Sequence, residues 1–463
     1  GDFAAHYGDH GVLPRTALVE RFMNAWQVCL HAGIGTQAQM ALFVIAGIAG
    51  VMLCLGYRTR TATIVSWVLL CSLHSRNYMV LQAGDVALRM ILFWGIFLPL
   101  GARWSIDARL RDDAPPTATI RTVATLALVA QLVLIYAAAT FSKMTHPVWW
   151  RDGLGVYYAL NAEEFTTPLG FWLLQFPSLT VVLSYLTLIV QGSVPVMLLS
   201  PWRTEAMRMA AVMLLVPMHI AFALMMDIGL FSFIVCTFWL AMLPTWFWDR
   251  VEQRWKQWAG RARRERPPRT WPRPIARAIE AERRRAKARP NPVFTVGQST
   301  AARAFVGAAV IYSAWWNMKT APPLAMSRTA EIPGRILRFE QRWFMFSSPP
   351  RHFNWYITPG ELADGTEIDI RTGGVVDWRK PELVSATFPG DRWRKYMINL
   401  DMNRYRRHRD YYLRHWCRVY NAAHPRAPLA TASLFKMHQA TPPPGQPWPA
   451  PKRVELASIE CPR

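Results

Sequence analysis

The chain has 463 residues and a mass of 52.9 kDa, room for a large helical body and an appended domain. Hydrophobic residues make up 52%, Trp alone numbers 22, and 53 Lys and Arg against 30 Asp and Glu leave a net charge of +23. That mixture excludes intrinsic disorder, which needs few apolar residues, and a coiled-coil or collagen-like rod, which needs a short repeat; the long uncharged blocks also argue against a soluble nucleic-acid binder.

At the amino terminus there is no Met, so an upstream segment is expected to be missing or processed, and no signal peptide is visible in what remains. Residues 1–36 read as an interfacial segment. Within it, Val19 to His31 interleaves Glu20, Arg21, Asn24, Gln27 and His31 with Phe22, Trp26 and Leu30, an amphipathic spacing. Residues 37–248 read as a transmembrane bundle. Asp, Glu, Lys and Arg are absent from Ile34 to Tyr57, Thr122 to Ser142, Thr166 to Trp202, Met209 to Met226 and Ile228 to Trp248. A crossing helix needs about 20 mostly apolar residues, and within the third run a Pro-bounded span covers Ser178 to Leu199. Thr61 to Tyr78, Gly84 to Leu100 and, at residues 298–318, Gln298 to Met318 are weaker spans with one or two charges each. About eight crossings are expected.

From Arg250 to Arg289 there are fifteen Lys and Arg against four Glu, a net of +11. Residues 249–297 are therefore read as a cytoplasmic loop rather than an anionic-lipid or nucleic-acid patch. By parity Arg58 and Arg60, the Arg103 to Arg121 loop, and Arg203 and Arg208 share that side, while Lys143 to Pro177 and the tail lie outside. Residues 319–463 have turn signals at Pro359-Gly360, Asp364-Gly365 and Gly373-Gly374 and a helical stretch from Arg392 to Asn421. That stretch is expected to turn Arg404, Arg406, Arg407, Arg409, Asp410 and Arg414 to solvent and Tyr411, Leu413, Trp416 and Tyr420 inward. The fold class is thus an all-α multi-pass transmembrane bundle with a small α+β extracytoplasmic domain, in a cell (inner) membrane. Six Cys are too few for a disulfide scaffold. Cys417 and Cys461, alone in the tail, can pair in an oxidising compartment and close a loop of about 45 residues, or stay as two buried thiols.

Ionisable residues in spans cost a few kcal/mol unless paired or functional. His74 and Lys143 end spans at the outer face, and His219 sits mid-span after Pro217; all three can approach one outward-facing cavity. Each also has an ordinary reading: Lys143 snorkels to headgroups, His74 bonds at the interface, His219 meets a carbonyl on a neighbouring helix. Asp85 and Arg89, one turn apart, are read as a structural ion pair. No HxxH, HExxH or CxxC spacing suggests a metal, and P-loop, GxGxxG and GxSxG patterns are lacking. A desolvated lysine is a suitable base for a weakly acidic phenol, and a histidine can hold the resulting anion. A membrane setting favours a lipid-soluble substrate such as a quinol.

The ordered words Tyr7-Gly8-Asp9-His10-Gly11-Val12-Leu13-Pro14-Arg15, Leu73-His74-Ser75-Arg76-Asn77, Gly84-Asp85 with Arg89, and Phe97-Leu98-Pro99-Leu100-Gly101-Ala102-Arg103-Trp104-Ser105-Ile106-Asp107 carry a resemblance. So do Lys143-Met144 with Trp150 and Gly153, His219 with Gly229-Leu230-Phe231-Ser232-Phe233, Arg342-Trp343-Phe344-Met345-Phe346, Arg392-Trp393-Arg394-Lys395, and Cys417-Arg418 to Asn421. Together they resemble the horizontally transferred transmembrane (HTTM) family, whose best-known member is vitamin K-dependent gamma-carboxylase. The resemblance implies an enzyme in which Lys143 deprotonates a reduced vitamin K or related quinol, and His74, His219 and Trp150 line the quinone pocket. Oxygen then adds, the oxygenated quinol removes a γ-proton from a glutamate, and CO2 is taken up, with epoxide as coproduct and no metal. Expected partners are membrane lipid, the quinone and a glutamate-containing peptide, with no nucleic acid. The tail of about 140 residues is much smaller than the carboxylase's lumenal region, so peptide capture is a departure point. The other expectation is a non-catalytic membrane partner or maturation factor for an exported peptide, holding an acidic partner on Arg392, Arg394, Lys395, Arg404, Arg406 and Arg407.

Overall fold

The longest apolar runs become the longest helices. In the computed structural model, which describes residues 2–23, 29–111, 121–264, 272–288, 299–319 and 324–462, the chain is mostly helical with a small C-terminal sheet. Helices α1 (Thr36–Leu55), α2 (Thr59–Arg76) and α3 (Ala83–Gly95) are followed by α4 (Val123–Met144), α5 (Pro177–Leu199), α6 (Thr204–Met225) and α7 (Phe231–Leu240). Of these, α1, α4, α5 and α6 have 20 to 23 mostly apolar residues; at 1.5 Å per residue they reach roughly 30 Å, enough to cross a bilayer. On α1 the exposed side chains Met40, Val44, Ile48, Val51 and Leu55 form one helical stripe, an apolar face that lipid accepts and water does not. The protein is therefore a membrane protein.

By length and composition the described residues give four spanning helices, or five if α7 and α8 (Thr245–Arg264) count as one. They meet at 93°, so Ile228 to Trp248 is not a single straight crossing. Pro244 stands at the bend, where its missing N–H and its ring interrupt the helix. After α9 (Arg273–Ala288) comes α10 (Thr300–Met318). Helices α2, α3 and α10 cover the weaker runs, but none is both long and apolar enough to count as a span.

The basic loops meet at one end of the bundle. Asp107 accepts from the amides of Arg58 and Thr59, each at 2.8 Å, and so caps α2. Arg58 pairs with Glu282 (3.4 Å), and Arg103 with Asp249 (3.5 Å) and Glu252 (3.3 Å). Residues 112–120, 265–271 and 289–298 of these loops, and Asn24, Trp26 and Gln27 of the amphipathic amino-terminal stretch, lie outside the described residues.

The sheet domain caps the other end. Strand β4 (Leu429–Ala440) runs antiparallel to β1 (His352–Ile357) and β2 (Pro359–Leu362) along one edge and to β5 (Lys452–Glu460) along the other; β3 (Glu367–Asp369) pairs with β2. The register sets Asn354 opposite His438 and Ser433 opposite Ser458. The single helix expected from Arg392 to Asn421 is broken into α12 (Asp391–Asp401) and α13 (Arg409–Ala423), joined by a 3-10 turn at Asn403–His408 and preceded by α11 (Arg328–Ile336). A disulfide joins Cys417 of α13 to Cys461 beyond β5. Arg409 is not solvated: it is buried and donates to the carbonyls of Leu400, Asp401 and Leu456. Arg392 and Arg394 likewise face the bundle, where they pair with Asp85 and Asp227. Arg404, Arg406, Arg407 and Arg414 are exposed, as the alternation predicts.

Two segments pack deep against their neighbours. Residues 2–17 wedge between bundle and sheet domain. Their carbonyls at Tyr7, Gly8 and Leu13 take the buried guanidinium of Arg76, and the Val12 carbonyl takes the Tyr396 hydroxyl. Residues 337–347, expected outside with the rest of the tail, re-enter the bundle after α11. Phe339 packs edge-on to Phe93 (4.7 Å), and Gln341 meets Gln131 of α4 (2.8 Å), roughly 18 Å of helix below Lys143. Irregular backbone survives at such depth only where protein buries it and meets its polar groups.

Candidate active site

Helix α4 ends at Met144, and Pro147, suited to a first helical position, opens the short helix Pro147–Trp150 that folds back over it. This turn lays the Trp149 ring beside Lys143, whose Nζ lies 5.3 Å from the ring centroid and donates to the Met345 carbonyl at 3.1 Å. Trp149 Nε1 donates in turn to the carbonyls of Phe346 (2.9 Å) and Ser347 (3.0 Å). Gly155 makes room, since a Cβ there would stand 2.3 Å from the Trp149 ring. Lys143 is 4% exposed, so it does not snorkel, and no carboxylate lies within 4 Å of it among the described residues. Trp150, expected in the pocket, is 49% exposed whereas Trp149 is 2% exposed; the one-residue difference reverses which ring meets the lysine.

His219 sits in α6 two residues after Pro217. Its Nε2 is 2.7 Å from the Tyr136 hydroxyl, which is 2.8 Å from Trp239 Nε1. An indole only donates, so the Tyr136 oxygen accepts from Trp239 and its own hydrogen goes to His219 Nε2. That places the ring proton of His219 on Nδ1, which is buried and has no hydrogen-bond partner. Thr140 Oγ1, one turn from both Tyr136 and Lys143, is also buried and unpartnered, as is Gln191 Oε1 on α5. Gly192 brings α5 close there: a Cβ at that glycine would be 3.4 Å from Thr140 Cγ2.

His74 ends α2. Arg89 is 3.1 Å from its Nδ1 and donates to the Glu340 carbonyl at 2.8 Å. A guanidinium only donates, so Nδ1 accepts and the His74 proton lies on Nε2, 3.7 Å from Asp85. Asp85 does not take Arg89 as its ion-pair partner. Its carboxylate receives Arg392 of α12 in a two-pronged bridge at 2.6 and 2.7 Å and the Gln82 amide at 2.8 Å. A fork of donors in the carboxylate plane outcompetes a side chain one turn along the helix, and Arg89 is held instead by His74 and a carbonyl of the re-entrant segment.

The three expected residues are thus all buried and contributed by separate helices, but no hydrogen bond, ion pair or ring contact joins any two of them. Tyr136 and His219 sit two turns, roughly 10 Å, below Lys143 along α4. The re-entrant segment links the Lys143 and Arg89 stations through the carbonyls of Met345 and Glu340.

Between bundle and sheet domain lie carboxylates that the sequence reading passed over. Glu163 pairs with Lys380 at 2.6 Å, and Glu164 accepts from the Asn354 amide at 2.7 Å. Burial pushes the Glu164 carboxyl up to about 7. The bond from Arg394, 2.8 Å away, holds Asp227 below the usual carboxylate range. The available signal was the acidic doublet Glu163-Glu164 in an otherwise apolar stretch, together with the Trp149-Trp150 doublet after His146-Pro147.

No family model, no curated protein and no solved structure matches this chain. Among the described residues no group of His, Cys, Asp and Glu is placed to hold a metal.

Proposed function

We propose that the chain is an integral membrane enzyme that oxygenates a reduced quinone of the vitamin K hydroquinone type, with Lys143 as base, coupled to carboxylation of a peptide glutamate. The observation that carries this reading is an amine buried at a span end with no carboxylate in ion-pair reach among the described residues, the setting in which lysine serves as a base. The orphaned donor at His219 Nδ1 and the unpartnered oxygen of Thr140 suit a ligand whose ring oxygens both donate and accept. When bound, the quinol supplies two electrons to O2, one oxygen entering the epoxide and the other leaving in water, while CO2 replaces the glutamate γ-proton. Lys143 Nζ accepts the phenolic proton, which requires its contact with Met345 to give way. His219 Nδ1 donates to the quinol oxygen, and the ring stays oriented through Tyr136 and Trp239. His74, held by Arg89 and Asp85, steadies the neighbouring wall.

The topology that goes with this reading has about eight crossings, α2, α3 and α10 spanning with the others, in a cell (inner) membrane. The sheet domain is extracytoplasmic. In support, the basic loops gather at the end opposite the sheet domain.

Purified protein supplied with vitamin K hydroquinone, oxygen and bicarbonate is expected to form epoxide, and Lys143→Ala to abolish it. Equal yields from both forms would remove Lys143 from the mechanism. A second reading, a non-catalytic partner for an exported acidic peptide, draws on the exposed Arg404, Arg406 and Arg407 and the half-buried Lys395, since Arg392 and Arg394 are already paired within the chain. Charge reversal at those three arginines would then break association while Lys143→Ala leaves it intact.

A further inference from the structure

Helix α8 leaves α7 at 93°, so if α7 lies along the membrane normal, α8 runs along the surface. Its sequence is built for that position. Trp248, Val251, Trp255 and Trp258 follow each other at helical spacing, and the last two are 56% and 61% exposed. Tryptophan is the side chain that settles at the headgroup boundary, apolar in body and with one polar N–H. The acids of this helix are already engaged, Asp249 and Glu252 by Arg103, and Glu252 also by Lys256 at 2.7 Å. Among the described side chains, Arg250 and Arg254 have no carboxylate partner: Arg250 stacks 5.0 Å from the Trp246 ring, and Arg254 is exposed.

Beside Trp246 opens a groove of about 740 Å³ lined by Arg203, Thr204, Glu205, Met209, Ala210 and Trp246. Its floor is mostly apolar, from α6 and the Trp246 ring, and Arg203 stands at its edge, 4.8 Å from the exposed Trp202 ring. An apolar trough that has the Arg203 guanidinium and the Glu205 carboxylate in its lining and Arg250 stacked on its Trp246 wall, continuous with a surface-lying helix, complements a molecule with an acyl chain and a negative head. Arginine suits a phosphate better than lysine does because its planar fork donates two parallel hydrogen bonds.

We propose that this end of the bundle binds an anionic glycerophospholipid, its phosphate at Arg203 and Arg250 and a chain along the groove, while the Val251, Trp255 and Trp258 stripe beds α8 in the same leaflet. The occupant is a lipid and not a nucleic acid, because exposed tryptophan and an apolar floor accompany the positive charge. The inference stands on charge, bend and groove alone and does not depend on the chemistry at Lys143.

The test uses the full chain in detergent, offered equal amounts of phosphatidylglycerol and phosphatidylcholine with matched acyl chains, retained lipid being counted by native mass spectrometry. Phosphatidylglycerol is expected to be retained about tenfold over phosphatidylcholine, a preference that falls with salt. The triple variant Arg203→Ala, Arg250→Ala, Arg254→Ala should lose the preference, and the corresponding Lys variants should keep most of it. Trp255→Ala with Trp258→Ala should lower both lipids alike. Equal retention of the two lipids by the unaltered chain, which needs no variant to fold, would overturn the proposal. So would a triple Ala variant with unchanged preference, or displacement of the lipid by a short RNA at equal charge.

Discussion

Replacing Arg392 by Gln should release the sheet domain from the bundle more than any change at Arg89 that spares its packing. The Asp85 carboxylate, 8% exposed, receives both prongs of Arg392 at 2.6 and 2.7 Å, and Arg392 also donates to the Val80 carbonyl at 3.0 Å. Removing one partner of a buried pair costs about 3–5 kcal/mol, while exposed pairs contribute about 0.2–1 kcal/mol. With the Arg392 side chain 32% exposed, an intermediate cost of about 2–3 kcal/mol follows. A double-mutant cycle isolates the pair: Asp85→Asn and Arg392→Gln, singly and together, read by thermal unfolding in detergent and by protease cleavage between α11 and β1. The coupling is expected near 2 kcal/mol for Asp85 with Arg392 and below about 0.5 kcal/mol for Asp85 with Arg89, read in a parallel cycle with Arg89→Gln. A larger coupling to Arg89 than to Arg392 would refute the assignment of partners, and with it the clamp between α12 and α3.

Trp149→Phe removes the donor that serves the Phe346 and Ser347 carbonyls and should cost about 1–3 kcal/mol; Trp150→Phe, on an exposed ring, should stay within about 0.5 kcal/mol, both read as midpoint shifts in thermal unfolding. The Glu164 carboxyl, at about 7 in the fold against an ordinary 4.5, holds its proton more tightly folded than unfolded. Its contribution to stability is present below about 4.5 and lost as pH rises through 7, so Glu164→Gln should flatten the pH profile and exceed the unaltered chain at pH near 8 by up to about 3 kcal/mol. Denatured, unreduced protein should titrate the thiols of Cys29, Cys54, Cys71 and Cys236, and Cys461→Ser should expose one more. Opening a loop of about 45 residues should also destabilise the sheet domain by about 4 kcal/mol, seen as faster cleavage within β5.

Five long runs without charge determined, by themselves, that this is a membrane protein, because length and apolarity suffice to decide whether a helix can cross a bilayer. The sequence also marked a small strand-containing tail and flagged Lys143, His74 and His219, since a titratable group in an apolar run is conspicuous without knowledge of its neighbours. Partners were another matter. Asp85 and Arg89 are one turn apart and invite pairing, yet Arg392, some three hundred residues away, is the group that reaches both carboxylate oxygens. Which of Trp149 and Trp150 meets Lys143 depends on how Pro147 turns the chain over α4. The return of residues 337–347 into the bundle follows from carbonyls finding Arg89, Lys143 and Trp149, contacts that no local periodicity encodes. Local pattern selects helix, strand and solvent; which buried donor meets which acceptor is decided when distant segments close on one another, and that choice belongs to the tertiary structure.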